Sequence, residues 1–176
     1  MRLCFLFVLA LASLGEAATK DAWRSRTIYQ LLTDRFNNPS TSSSCSDLST
    51  YCGGTYQGVE KQLLYLLNMG FDALWISPIV ENTPNGYHGY HAKDIYKLNP
   101  HFGTEEDLSS LIQACHALNI YVMLDVVANH MGGTIQDISS FNPFNLSSYY
   151  HDCSFCPASC NIQDWDKGHL TEIQKC

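Results

Sequence analysis

Three short apolar runs, separated by two stretches of helical spacing, constrain this chain more than any other feature. The first is Thr27-Ile28-Tyr29-Gln30-Leu31-Leu32, which ends in Thr33-Asp34-Arg35-Phe36. The second is Phe71-Asp72-Ala73-Leu74-Trp75-Ile76, closed by Ser77-Pro78. The third, Ile120-Tyr121-Val122-Met123-Leu124-Asp125-Val126-Val127, is almost continuously apolar, the pattern of a strand in a parallel sheet covered on both faces. Between the first two, residues 58–68 place Val59, Leu63, Leu66 and Leu67 on one helical stripe, and Gly70 stops it. Between the second and third, Thr104 is the expected N-cap of a helix. Asp107 completes an aspartate variant of the capping box. Leu108, Leu111, Ile112, Cys115 and Leu118 continue along one face of that helix. The order predicts βαβαβ: three parallel strands joined by right-handed crossovers.

Polar residues mass just after these strands. Asp34, the run Tyr87-His88-Gly89-Tyr90-His91, and Asp125, Asn129 and His130 all follow a predicted strand, directly or through a loop containing Pro84 and Gly86. In α/β sheets the carboxyl ends of the strands carry the site. Residues 37–55 read as a polar loop, and beyond Met131 the pattern dissolves into loop, aromatics and cysteines. A 45% hydrophobic, 15% charged chain is globular rather than disordered. Its net charge of −7 argues against a nucleic-acid partner, which wants a basic face.

The N-terminus points to export. Arg2 precedes an apolar run over residues 3–14, then Gly15-Glu16-Ala17, a small-x-small pattern suited to cleavage after Ala17. That run is too short for a bilayer, which takes about 20 residues, so residues 1–17 read as a signal peptide and no membrane partner is expected after cleavage. Cys4 leaves with it. Cys115, on the apolar helix stripe, is the expected buried free thiol. Cys45 and Cys52 lie close together in a Ser/Thr-rich loop, where a local clip is the natural reading. Cys153, Cys156, Cys160 and Cys176 allow three pairings; zinc held with His151 or His169 is the rival reading. Asn145-Leu146-Ser147 is a glycosylation sequon for a eukaryotic host.

Asp125-Val126-Val127-Ala128-Asn129-His130 resembles the first signature region of the α-amylase family, glycoside hydrolase family 13. The likeness extends over about residues 22–150. Residues 28–36 resemble the family's first barrel strand and its loop, residues 51–58 the entry to its first helix, and residues 69–78 its second strand. Tyr87-His88-Gly89-Tyr90, Asp94-Ile95-Tyr96 and Asn99-Pro100-His101-Phe102-Gly103-Thr104 are similar to the segments before the third strand. The order and spacing of these motifs carry the resemblance, which is nearest to the calcium-dependent fungal-type α-amylases; these also have a cysteine pair at the positions of Cys45 and Cys52.

The resemblance implies the N-terminal part of a (β/α)8 TIM barrel. Residues 18–130 would hold strands one to three, and residues 131–176 the start of the cysteine-rich, calcium-binding insert known as domain B. It implies a secreted, retaining endohydrolase of α-1,4-glucans, with Ca²⁺ as cofactor and an α-glucan as partner. Tyr90 matches the aromatic platform beneath the sugar at the cleavage subsite, and His130 the histidine that hydrogen-bonds that sugar. His91 falls at an outer contact where the fungal-type pattern has Trp. His88 supports the loop, and Asp125 matches an acid that orients its neighbours and is not the nucleophile. Asn129 matches a calcium ligand, its amide oxygen being a hard donor.

Retaining hydrolysis needs two carboxylates about 5 Å apart. The family carries its nucleophile, acid/base and third carboxylate on later strands, so no catalytic residue is assigned within these 176 residues. Asp152, Asp164, Asp166 and Glu172 sit in the cysteine-rich loop without strand framing, and Gln174 stands where the subgroup has an acidic calcium ligand. A complete barrel takes about 200–400 residues. The expectation is therefore a barrel segment that binds calcium weakly and does not cleave starch alone. The rivals are another family 13 specificity, such as an α-glucosidase or transferase, and a non-catalytic secreted glucan-binding protein.

Overall fold

A computed structural model describes residues 18–40, 45–132 and 138–150. The signal-peptide assignment, the pairing of the last four cysteines and the acidic residues beyond 150 lie outside the described residues.

The elements in chain order are α1 (Lys20–Arg24), β1 (Ile28–Leu31), α2 (Thr33–Phe36), α3 (Tyr56–Glu60), α4 (Leu63–Asn68), β2 (Ala73–Ile76), β3 (Val80–Asn82), β4 (Ala92–Leu98), α5 (Glu105–Ala117) and β5 (Tyr121–Leu124). Two 3-10 turns, Ile138–Ser140 and Ser147–Tyr149, follow. The main sheet has the order β1-β2-β5 and is wholly parallel. Ile28 pairs with Ala73 and Ala73 with Tyr121; at the other end Leu31 pairs with Ile76 and Ile76 with Leu124. The predicted βαβαβ order of parallel strands is thus present, with no closed barrel among the described residues.

Helices α3, α4 and α5 cover one face of this sheet. Tyr56, Val59, Leu63, Leu66, Leu111 and Cys115 from the helices meet Leu31, Leu74 and Ile76 from the strands in one buried cluster, with Phe102 wedged between. The predicted helix over residues 58–68 is in fact two. Thr55 caps α3 by accepting from the Gly58 amide, and Gln62, at φ −106° and ψ 6°, leaves helical geometry before α4 starts. Val59, Leu63 and Leu66 stay buried across the break, so the apolar stripe survives although the helix does not.

Both principal helix ends close as their sequences direct. At Gly70, φ +90°, the Phe71 amide donates to the Leu66 carbonyl and the Gly70 amide to that of Leu67, a Schellman closure. Asn119, φ +58°, does the same for α5, with the Ile120 amide on the Cys115 carbonyl. The capping box at Thr104 and Asp107 forms in both directions.

Two expectations are corrected. Residues 78–91 contain strand as well as loop, because β3 and β4 form an irregular antiparallel hairpin. β4 was not legible because it buries Ala92 together with the charged Asp94. The third strand is also not covered on both faces. β5 lies at the end of the sheet order, Leu124 is 43% exposed and Val126 is 78% exposed.

Cys45 and Cys52 form the local disulfide, and Cys115 is a buried free thiol as expected. Burial, with the nearby Glu60 charge, pushes the Cys115 thiol up to about 12. A thiol so protonated does not alkylate. We expect the Cys115 peptide to remain unlabelled by iodoacetamide at pH 8 in the native state and to label fully in denaturant, read by mass spectrometry. Rapid native labelling would contradict the burial.

Candidate functional site

Chain geometry puts the carboxyl ends of β1, β2 and β5 side by side, and the ladder runs on past each strand. Ser77 N–H donates to Leu31 O at 3.2 Å and Asp125 N–H to Ile76 O at 3.1 Å. The Ser77 hydroxyl, itself buried, accepts from the Thr33 amide at 3.0 Å and donates to the Thr33 hydroxyl at 3.2 Å. The end of β1 is thereby tied to the end of β2, and Asp125 is delivered beside them at the end of β5.

The β3–β4 connection swings the aromatic run over these ends. Asn82 steers it: its amide oxygen accepts from His91 N–H at 2.8 Å, while the Thr83 amide donates to the His91 carbonyl at 2.9 Å. The His88 imidazole turns back and accepts the Tyr90 amide on Nδ1 at 3.0 Å, with the two rings stacked at 5.7 Å. The His91 and His88 rings meet in a T-shaped pair, 4.6 Å between centroids. This bracing fixes where the Tyr90 ring points.

Tyr90 donates its hydroxyl to Asp125 Oδ2 at 2.7 Å, a link between residues 35 apart in sequence. That bond, with burial adding to it, raises the Tyr90 phenol above its ordinary value. His130 Nε2 lies 2.9 Å from the Tyr90 carbonyl oxygen, and His130 Nδ1 lies 3.1 Å from the Asn129 amide nitrogen. A carbonyl can only accept, so His130 Nε2 carries the proton, and Nδ1 is then free to accept from Asn129. Tyr90, Asp125, His130, Asn129, His88 and His91 therefore form one connected group.

Asp34, the other acid at a strand end, does not join it. Its fully buried carboxylate accepts from the Cys52 amide at 2.8 Å and the Gly53 amide at 3.2 Å, and lies 2.8 Å from Arg35 Nε. That last contact is Coulombic rather than a hydrogen bond, since Nε–H is not aimed at the oxygen. Arg35 is the functional neighbour that sequence reasoning missed. It donates to the Leu48 and Thr50 carbonyls at 3.0 and 2.8 Å, inside the disulfide loop, and its guanidinium sits 3.8 Å above the Tyr87 ring. Tyr87 in turn meets His88 edge-on at 5.0 Å. Nothing in the sequence signals this chain of contacts except that Arg35 follows Asp34.

Burial, the His91 charge and the Arg35 charge hold the His88 imidazole below its ordinary value; burial and His130 do the same for His91. A histidine depressed in the folded state binds its proton more readily when unfolded. Its full stability contribution is therefore present above the unfolded value near 6.5 and is lost as pH falls below it. We expect stability against urea to rise with pH between about 5 and 7, and this slope to shrink in His88→Gln. A flat or inverted profile would contradict the assignment.

Parallel strands with a phenol, imidazoles and a carboxylate gathered beyond their carboxyl ends place this chain among the α/β proteins that carry a polar site at strand ends. Residues 30–161 match the family model described as "Alpha amylase, catalytic domain", and the chain belongs to the alpha-amylase family of glycoside hydrolases. An alpha-amylase of Saccharomycopsis fibuligera is 43% identical over 169 residues, 89% of this chain and 33% of that protein. The solved alpha-amylase of Malbranchea cinnamomea is 49% identical with a TM-score of 0.72, covering 77% of this chain and 31% of the other. The alpha-amylase of Geobacillus thermoleovorans, solved with acarbose, is 39% identical with a TM-score of 0.65, covering 74% and 28%. The chain spans about a third of the length of the curated relatives it matches.

Proposed function

We propose that these residues form one wall of the sugar site of a secreted, retaining endohydrolase of α-1,4-glucans. The observation that carries the reading is the Tyr90–Asp125–His130 group at the strand ends of a chain in this family. The Tyr90 ring, half-buried and braced by the His88 ring, suits the C–H face of a pyranose. His130, its proton held on Nε2 by the Tyr90 carbonyl, hydrogen-bonds a sugar hydroxyl through Nδ1 in exchange for its Asn129 contact. His88 holds Tyr90 in place, His91 makes an outer contact, and Asp125 fixes the Tyr90 hydroxyl without acting as nucleophile. The relative solved with acarbose, an oligosaccharide, supports a glucan ligand.

Ca²⁺ is the cofactor this reading implies, with the Asn129 amide oxygen as one ligand. Calcium takes about 6–8 oxygens. No group of three or more His, Cys, Asp or Glu able to hold a metal occurs among the described residues. The described residues therefore do not by themselves fit a complete calcium site. Residues 1–17 act as the export signal, and residues 131–176 begin the insert domain.

Of the two acids at strand ends, Asp34 is locked by Arg35 and two amides and Asp125 by Tyr90. A polypeptide of these 176 residues is accordingly expected to touch sugar without cleaving it. In a barrel that carries this segment together with a paired carboxylate site, His130→Ala should lower kcat/KM on soluble starch by roughly tenfold, the equivalent of one hydrogen bond of about 1.4 kcal/mol. Unchanged kcat/KM would remove His130 from the sugar site. No binding of acarbose by wild-type chain, read from the Tyr90 and His130 resonances, would remove the site as a whole.

A further inference from the structure

We infer that Asn145 is a site of N-linked glycosylation, taking its glycan from a lipid-linked oligosaccharide diphosphate. The inference rests on the reading that the chain is exported, and goes beyond it in naming the modified atom. Asn145-Leu146-Ser147 is the one Asn-x-Ser/Thr triplet in the chain without proline at the middle position; Asn38-Pro39-Ser40 has the blocking proline.

The structure puts this triplet where a glycan can stand. The segment is pinned on both sides. Before it, Phe141 is buried and Asn142 is stitched to β4, its amide donating to the Lys93 carbonyl at 2.9 Å and its side chain to Asp94 at 3.1 Å. After it, Tyr150 is buried and donates its hydroxyl to the Phe144 carbonyl. Between the anchors residues 145–149 are all exposed, with Leu146 at 54% and Tyr149 at 41%. Asn145 heads this bulge; its amide donates to the Pro143 carbonyl at 3.0 Å, closing a tight turn that leaves the residue in solvent. A glycan on Asn145 displaces none of the packing at Phe141 or Tyr150, and it shields the two exposed apolar side chains beside it.

In the reaction the Asn145 amide nitrogen attacks the anomeric carbon of the donor. The C–N bond forms, the C–O bond to phosphate breaks, the polyprenyl diphosphate leaves with the electron pair, and the amide proton passes to a base of the transferase. No oxidant or reductant is needed.

The test is to express residues 1–176 in a yeast behind their own leader and, separately, residues 18–176 behind an established secretion leader. The chain is recovered from medium and membranes alike and treated with peptide-N-glycosidase. Transfer takes place as the chain enters the lumen, so a variant that folds poorly still reports. With the established leader we expect one downward mobility shift, conversion of residue 145 to the acid in the released peptide, complete loss of the shift in Asn145→Gln and Ser147→Ala, and its retention in Ser147→Thr. Unmodified Asn145 in chains that have entered the lumen would overturn the inference. Modification with the established leader but not with residues 1–17 would uphold the glycan site and defeat the export reading instead.

Discussion

Arg35→Met should lower the stability of the fold by about 3–5 kcal/mol, the cost of leaving a buried carboxylate without its partner. Asp34 is wholly buried and Arg35 largely so, and the two lie 2.8 Å apart. Methionine keeps the length of the apolar stem and removes the charge, so the loss reports the ion pair and the donors rather than a cavity. It also frees the Leu48 and Thr50 carbonyls that Arg35 holds inside the disulfide loop. For a chain of this size the loss corresponds to about 6–20 °C in Tm. The same substitution should let the His88 imidazole rise toward its ordinary value, because the Arg35 charge is one of the influences that depress it. Urea titration followed by circular dichroism measures the first effect, and imidazole resonances followed against pH measure the second. A stability loss below about 1 kcal/mol would show that the pair is solvated and that the loop holds itself.

Gly54→Ala should be at least as damaging, at about 3 kcal/mol or more, by overpacking against main chain. A Cβ built on Gly54 runs into the Thr33 carbonyl oxygen and the Asp34 carbonyl group. These atoms cannot rotate aside. The Gly54 amide donates to the Asp34 carbonyl at 2.9 Å, so relief by backbone movement would break the bond that seats the disulfide loop on the end of β1. Gly70→Ala provides the scale. A Cβ there meets nothing within 4 Å, but φ is +90°. Its cost is left-handed strain alone, about 1–2 kcal/mol. The expected order of denaturation midpoints is wild type, then Gly70→Ala, then Gly54→Ala. Equal losses in the two variants would contradict the close approach.

Both substitutions strike the same place, the seam between β1 and residues 45–54, and that seam supports the site only indirectly. Arg35 leans on Tyr87, Tyr87 on His88, and His88 holds the amide of Tyr90. This relay was invisible in the sequence because its members carry no spacing rule. The hairpin of β3 and β4 was missed for a related reason: Asp94 sits on its buried side, satisfied by Asn142 from a segment 48 residues away, and an alternation pattern cannot show a buried charge whose partner is so distant.

What the sequence determined by itself is local or repetitive. The three parallel strands follow from apolar runs, the stop of α4 from Gly70 and the start of α5 from Thr104 and Asp107, each set by hydrogen bonds within a few residues. The Cys45–Cys52 clip spans seven residues and was legible for the same reason. Family membership was legible because the motifs recur in order along the chain. Only the tertiary structure decided which polar residues meet. It turned Asp34 inward to the Cys52 and Gly53 amides and carried Tyr90 across to Asp125. It split the 58–68 stripe into two helices, and it left Val126 in solvent at the open side of the sheet. A carboxylate after a strand has the same local sequence signature whether it faces a site or a core. Its direction is set by the donors that packing brings within about 3 Å, and those donors come from residues 18 to 35 positions away.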